Sequence, residues 1–273
     1  ALATQLAPHG FSIALVEAQA PVAYDLSQPF DLKVCALSPK SAQVMQQSQA
    51  WDILQSMRLC PYKRMRVWEM SGFGDLMFSA SQAGVTELGH IVENRLVQLS
   101  LWQSLQSKDN VKVICPASPK TLHHVGRVTH IELDNGVSLT ARLVVGADGA
   151  QSKVRQAFGI GVNRGQYQQA CLVASVNTQL GQQDITWQRF VSTGPQAFLP
   201  LLGQHGSVVW YHQADKARAL SNLSHEHLAD EIMAQFPRQL GPIEVTAKAS
   251  FGLQKQHAHT YCADGMVLIG DAA

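Results

Sequence analysis

The sequence predicts an α/β fold (α+β overall): a domain of βαβ type, split along the chain, with an antiparallel-sheet domain inserted into it. Three observations predict it. The chain opens on a helix-like stretch, a glycine and a short apolar strand that ends in an acid, which is the second half of a βαβ unit. Two further short, wholly apolar strands run directly into Asp148-Gly149 and Gly270-Asp271. Between them, from about Gly165 to Phe251, long alternating runs replace this texture, as antiparallel strands do. The split domain takes residues 1–62, 86–162 and 256–273, and the sheet domain takes 63–85 and 163–255.

The elements follow in order. Residues 1–9 read as a helix tail closed by Gly10 in a left-handed cap, and Phe11–Val16 as a strand ending at Glu17. Residues 39–60 carry helical spacing, with Val44, Trp51, Leu54 and Met57 facing a core. Lys63–Met70 alternates as a strand, and a glycine-containing connection leads to Leu76–Phe78. A helix is expected over Arg95–Gln106, capped by Asn94. Val111–Cys115 and Lys120–Val125 are strands; Arg127–Leu133 and Val137–Leu139 flank Asp134-Asn135-Gly136, a hairpin turn. Leu143–Gly146 is a short buried strand suited to a central parallel position. Strands are expected at Cys171–Thr178, Ile185–Val191, Ala197–Leu202 and Val208–His212. One helix follows, His225–Phe236, and then the apolar strand Met266–Ile269.

Composition narrows the function. With 273 residues, 46% hydrophobic and 15% charged, the chain has ample material for a core and is not disordered. A net charge of +1 gives no reason to expect nucleic acid. No apolar run reaches the roughly 20 residues of a membrane span. Five cysteines, odd in number and without a CxxC, predict reduced, mostly buried thiols in a cytoplasmic protein. His225–His227 and His257–His259 lack an accompanying Cys or carboxylate cluster, so no metal is expected.

Two stretches carry chemistry. In Val144-Val145-Gly146-Ala147-Asp148-Gly149, Gly149 lets the backbone turn sharply and approach a ligand, and the following helix offers N–H groups to an anion. Asp148 either accepts from a ribityl or ribose hydroxyl or caps that helix. In Met266–Ala273 the carboxylate of Asp271 stands beside Gly270 and two alanines, where a bulky ligand can pack closely. An acid at the tip of a second strand, here Glu17, is placed to bind an adenosine ribose, or is simply a solvated strand end.

Together Glu17, Asp148-Gly149 and Gly270-Asp271 resemble the three FAD-holding sites of the aromatic-hydroxylase branch of the flavoprotein monooxygenases. Ala36-Leu37-Ser38, Val92–Gln98, Gly165-Gln166-Tyr167, Gly194–Leu201 and Val209-Trp210-Tyr211 are similar to segments of its ubiquinone-biosynthesis hydroxylases. The resemblance covers the whole chain. It implies a Rossmann-like FAD-binding domain, with cofactor contacts at Glu17, Lys33, Asn94, Arg95, Gln98, Asp148, Gly149, Gly270 and Asp271. It also implies hydroxylation of a polyprenyl benzoquinol with NAD(P)H and O2, and contact with other ubiquinone-biosynthesis proteins. Phe198, Pro200 and Trp210, with Phe190, would then meet the aromatic head, and Arg189 would be a solvated strand residue. Lys33 stands where the family usually has Arg, which loses a bidentate fork, and His212 stands where an acid is common. The family's N-terminal glycine fingerprint is expected before Ala1, and residues beside the flavin ring after Ala273, so the chain reads as a fragment. Peripheral contact with the inner face of a membrane is the most the sequence supports. Two alternatives stay open: an inactive fragment or interaction module, and a flavin hydroxylase of another aromatic substrate.

Overall fold

A computed structural model describes Ala1–Ala273. It divides into two compact units. The first comprises Ala1–Phe11, Pro21–Asp109 and Gln168–Leu253, and the second Ser12–Ala20, Asn110–Tyr167 and Gln254–Ala273.

The first unit is organised by a seven-stranded sheet in the order Ile243–Ala258, Val162–Thr178, His205–Gln213, Gly194–Pro200, Ile185–Val191, Arg64–Glu69 and Asp75–Ser79. From Val162–Thr178 through Asp75–Ser79 neighbouring strands pair antiparallel with one exception: Arg64–Glu69 joins Ile185–Val191 in parallel. One face of this sheet is covered by two helices, Ala214–Asn222 and His225–Gln235, where the sequence pattern gave only the second. The first escaped notice because only Ala217 and Leu220 are buried on it. Ser224 starts the second helix, its Oγ accepting from the His227 N–H. Trp187, Phe198 and Trp210 of the sheet pack there against Leu228, Ile232 and Phe236.

A smaller antiparallel sheet of the same unit has the order Val34–Leu37, Gly89–Glu93, Cys60–Tyr62. All five residues of its central strand are buried. Around it lie Pro39–Gln47, Trp51–Gln55 and Asn94–Leu105. The expected helix over 39–60 is therefore two. Gln49 takes a left-handed φ of 56°, and the Ala50 N–H reaches back to the Met45 carbonyl at 3.0 Å, a terminating turn. Trp51 and Leu54 are buried, whereas Val44 and Met57 are half-buried. Asn94 is the first residue of its helix rather than its cap. Its N–H donates to the Lys33 carbonyl at 3.0 Å, and Glu93 holds the cap position with its side chain turned elsewhere.

In the second unit Ile13–Val16 pairs in parallel with Val111–Ile114. Pro119–Val125, Val128–Leu133 and Ser138–Ala141 form an antiparallel meander. Its second turn is the expected Asp134-Asn135-Gly136, with Gly136 at φ 84°. Val144–Gly146 pairs in parallel with Met266–Leu268, but as an outer strand of a three-stranded sheet, not a central one. Gly146 is required there: a Cβ would stand 2.7 Å from Leu268 and 3.1 Å from Val154. The thiols are all free but less buried than expected: Cys60 and Cys171 are buried, Cys35 and Cys115 half-buried, and Cys262 exposed. No helix is long and apolar enough to cross a membrane.

Candidate functional site

Within the second unit, the parallel pairing of Val144–Gly146 with Met266–Leu268 delivers both aspartate turns at the carboxyl ends of neighbouring strands. That end of a parallel sheet is where ligands bind in α/β folds. Gly149 has φ 82° and Gly270 φ 60°, and a Cβ on either would stand in open space. Asp271 is exposed within the short turn Gly270–Ala272. Asp148 does cap: its Oδ2 accepts from the Val154 N–H at 3.1 Å, while Ser152 Oγ accepts from the Arg155 N–H. Its other carboxylate oxygen remains an acceptor. Glu17 follows the strand Ile13–Val16, is half-buried, and accepts from the Gln19 N–H at 3.2 Å. Open space beside positive-φ glycines, with acceptors around it, fits the hydroxyl-rich and phosphate-bearing parts of FAD.

Arg155, given no role from sequence, ties the two turns together. It is 2% exposed and donates from Nη1 to the Ala272 carbonyl and from Nη2 to the Ala150 carbonyl, each at 2.8 Å. A buried guanidinium satisfied by two turn carbonyls fixes both loops in one register. Arg155 is the third residue of the short helix Lys153–Ala157, and its charge gave no sign in sequence that it is buried.

The remaining cofactor candidates lie in the first unit. Asn94 and Gln98 are exposed on the first turns of Asn94–Leu105, and Lys33 is exposed with Nζ 5.7 Å from the Phe251 ring centre. Arg95 is committed to structure: Nε donates to Asp31 at 2.9 Å and Nη1 to the Val22 carbonyl at 3.1 Å. Behind it Arg58 and Glu93 form a buried ion pair at 2.9 Å. Glu93 Oε1 also accepts from the Asp31 N–H, and Arg58 donates to the Gln28 and Pro29 carbonyls and stacks 4.2 Å from the Phe30 ring centre. Burial pushes the Glu93 carboxyl up, against the Asp31 N–H and Arg58, which pull it down. The segment 22–33 that presents Lys33 is thus pinned at three points.

The free face of the seven-stranded sheet borders a cavity of about 400 Å³, which also reaches Lys33, Ala36 and Asn94. Strand parity decides which side chains line it. Ser207, Val209 and Tyr211 do, with Ala197 and Leu199 of the next strand and Cys171 of the other neighbour. Phe198 and Trp210, expected to meet an aromatic ligand, point the opposite way into the core, at 0% and 3% exposure. Pro200 is buried and does not line the cavity either. Gly206 permits this inversion, since a Cβ there would collide with the Phe198 ring. Arg189 is not a solvated strand residue: it donates to Gln196 Oε1 from Nε at 3.0 Å and to the Gln235 carbonyl, which closes the helix over the core. His212 bonds to the backbone N–H of Gln213 through Nδ1, and burial with nearby Lys216 lowers its pKa. Cys171 and Tyr211 are directly opposed across two strands, and the Cys171 thiol points to the Leu172 carbonyl at 3.8 Å. Burial pushes the thiol up to about 11, so it is protonated at neutral pH.

Residues 121–273 match the FAD binding domain family. The chain is similar to 3-demethoxyubiquinol 3-hydroxylase of Escherichia coli strain K12, 38% identical over 273 residues, covering all of this chain and 70% of that protein. It is 30% identical to the mitochondrial ubiquinone biosynthesis monooxygenase COQ6 of Xenopus tropicalis, covering 91% of this chain and 62% of that one. Among solved structures it is similar to p-nitrophenol 4-monooxygenase PnpA from Pseudomonas putida DLL-E4, with TM-score 0.76 and 16% identity over 99% of this chain and 69% of that one. P. aeruginosa PqsL in complex with 2-aminobenzoylacetate gives TM-score 0.77 and 17% identity, covering 99% and 75%. At such identities these two show the fold alone. The chain spans 62 to 70% of the length of the two curated relatives. Sequence identity, the matched domain and the shared fold agree: the chain belongs to the FAD-dependent hydroxylase family of ubiquinone biosynthesis.

Proposed function

We propose that this chain is the greater part of a flavoprotein monooxygenase that hydroxylates a polyprenylated benzoquinol, with a demethoxy quinol (2-octaprenyl-3-methyl-6-methoxy-1,4-benzoquinol) as substrate. The observation that carries the reading is the cavity's chemistry. Its sheet face offers Ala197, Leu199, Val209, Val173 and neutral polar groups, and no arginine or lysine of the sheet lines it. An aromatic acid would require a buried cation for its carboxylate, whereas an uncharged quinol ring requires none. The name of the Escherichia coli relative points to the same substrate.

In this reading a bound FAD would supply the redox chemistry, the two electrons of NAD(P)H going to dioxygen so that one oxygen atom enters the ring and the other leaves as water. The protein's part is positioning. Glu17, Asp148, Gly149, Gly270 and Asp271 hold the nucleotide and ribityl portions, with Arg155 fixing the two aspartate turns. Lys33, Asn94 and Gln98 serve the diphosphate and ring side, Arg95 holding their segment through Asp31. Residues 1–62, 86–162 and 256–273 thus serve the cofactor, and 63–85 with 163–255 the substrate. The apolar cavity walls keep water from the reacting ring. A polyprenyl tail calls for an apolar exit toward a membrane surface or a partner of the same pathway.

Quinone analysis of a strain lacking the gene tests this. Accumulation of the demethoxy quinone, reversed by the intact gene, together with no turnover of 4-hydroxybenzoate by the purified full-length protein, is expected. Normal ubiquinone in a strain without a sister gene would overturn it.

A further inference from the structure

We propose that Ser207 is a specificity-determining residue, its hydroxyl hydrogen-bonding an uncharged oxygen substituent of the ring that enters the cavity. The proposal rests on the reading of that cavity as the substrate site and adds the contact that orients the ring. Ser207 is 1% exposed, and its Oγ has no hydrogen-bond partner in the protein. It shares a strand face with Val209 and Tyr211 and lines the cavity with them. A buried hydroxyl without a partner is costly, and alanine or valine would pack an apolar wall without that cost.

The other polar groups narrow the ligand. Tyr211 stands directly across the ladder from Cys171, whose thiol donates to the Leu172 carbonyl and, pushed up to about 11 by burial, is protonated at neutral pH. Ser175, opposite Ser207 in the ladder, also has an unpartnered hydroxyl but does not line the cavity. The charged group on the cavity wall, Lys33, is exposed and stands over Phe251. Ser207 therefore meets its ligand in neutral surroundings. A serine hydroxyl donates and accepts, so it serves a ring hydroxyl and a ring carbonyl alike, the two states of a quinol–quinone pair. Apolar walls fix the plane of the ring, and the off-centre hydrogen bond from Ser207, with the uncharged amides of Gln188 and Asn94 on the same lining, fixes its rotation within that plane. That rotation selects which ring carbon is presented for reaction.

The test uses the full-length, FAD-loaded protein and equilibrium binding followed by flavin absorbance. Two probes are compared: 2-methoxy-5-methylhydroquinone, and 4-methylanisole, which keeps the methyl and methoxy groups but lacks both ring hydroxyls. Ser207→Ala is expected to weaken the hydroquinone about 3- to 10-fold and to leave 4-methylanisole within about twofold, with FAD content and melting temperature near the parent's. Val209→Phe, or Leu199→Phe if the first does not fold, fills the cavity and is expected to block both probes. If the filled variant binds both as the parent does, or the parent binds neither, the substrate-site reading fails and this proposal with it. If the filled variant blocks both but Ser207→Ala binds the hydroquinone as the parent does, or loses both probes equally, the Ser207 assignment alone is overturned. A loss confined to Ser175→Ala would overturn it as well.

Discussion

The aspartate turns of the second unit and the sheet face of the first are built in opposite ways. The turns are defined by backbone: two glycines at positive φ, two short parallel strands of apolar residues, and a buried arginine bonded to two carbonyls. The sheet face is defined by alternation, so neighbours in sequence have contrary fates. Ser207, Val209 and Tyr211 line the cavity, while Val208 and Trp210 lie in the core. A site made by backbone leaves its mark on residue types at fixed spacing. A site made by a strand face leaves a mark only once the parity of that strand is known.

The largest effect that would sharpen this contrast lies on one strand. Trp210 is packed against Phe236, with ring centres 5.4 Å apart, and sits among Leu172, Leu220 and Leu228. Trp210→Ala should lower the free energy of unfolding by about 3–5 kcal/mol. Val209→Ala, one residue away on the cavity wall, should cost less than half of that and act on ligand binding instead. Denaturant titration of both variants decides it; equal losses would mean that the two faces are not distinct in energy.

This strand also shows what was legible in the sequence and what was not. The alternation of 205–213 was plain, and so was its place in an inserted sheet. Which half faced inward was not, because both halves are apolar: Val209 and Tyr211 look as fit for a core as Val208 and Trp210. Choosing the larger aromatics, Phe198 and Trp210, for the ligand reversed the face, since large side chains fill cores where small and medium ones leave a cavity. Asn94 failed for a related reason. Its identity suits a cap, but its N–H is drawn into the ladder beside Lys33. The Asp-Gly and Gly-Asp turns, by contrast, stand where their spelling put them. The helix Ala214–Asn222 and the Arg58–Glu93 pair were invisible, the one for want of an apolar stripe, the other because its partners are 35 residues apart.

That ion pair supplies the next test. Arg58→Met leaves Glu93 buried without its cation. The carboxyl, already pushed up by burial, can take a proton and so limit the damage, which is expected at about 2–3 kcal/mol. The double variant Arg58→Met with Glu93→Leu should recover most of the loss in urea unfolding. If it does not, segment 22–33 depends on the arginine's carbonyl contacts rather than on the pair.

A smaller effect, confined to ligand, is expected on the backbone-defined side. Asp271→Ala removes an exposed carboxylate and leaves its turn intact. Loss of a charge-assisted hydrogen bond should weaken FAD about 10- to 100-fold while the melting temperature of the flavin-free protein stays within a few degrees. Undiminished flavin after dialysis of the full-length variant would remove Asp271 from the site.

The smallest expected effect concerns pH and the strand Gly89–Glu93, next to the ladder position of Lys33. His90 is buried, with its ring 5.1 Å edge-on from Trp51 and its Nε2 3.4 Å from Glu87; its Nδ1 has no partner. Burial lowers its pKa from 6.5, and Glu87 opposes the shift without reversing it. The folded protein therefore holds His90 neutral where the unfolded chain begins to protonate. Below about pH 6.5 the unfolded state binds more protons at this position, so its contribution to stability is full above that pH and is lost as pH falls toward the folded value. Other carboxylates and histidines titrate over the same range, so the measurement is a difference: urea midpoints of the parent and of His90→Gln between pH 7.5 and 5. The parent should lose more stability over that interval than the variant. An equal or smaller loss would mean that Glu87, not burial, governs His90, and that this strand is wetter in solution than its packing implies.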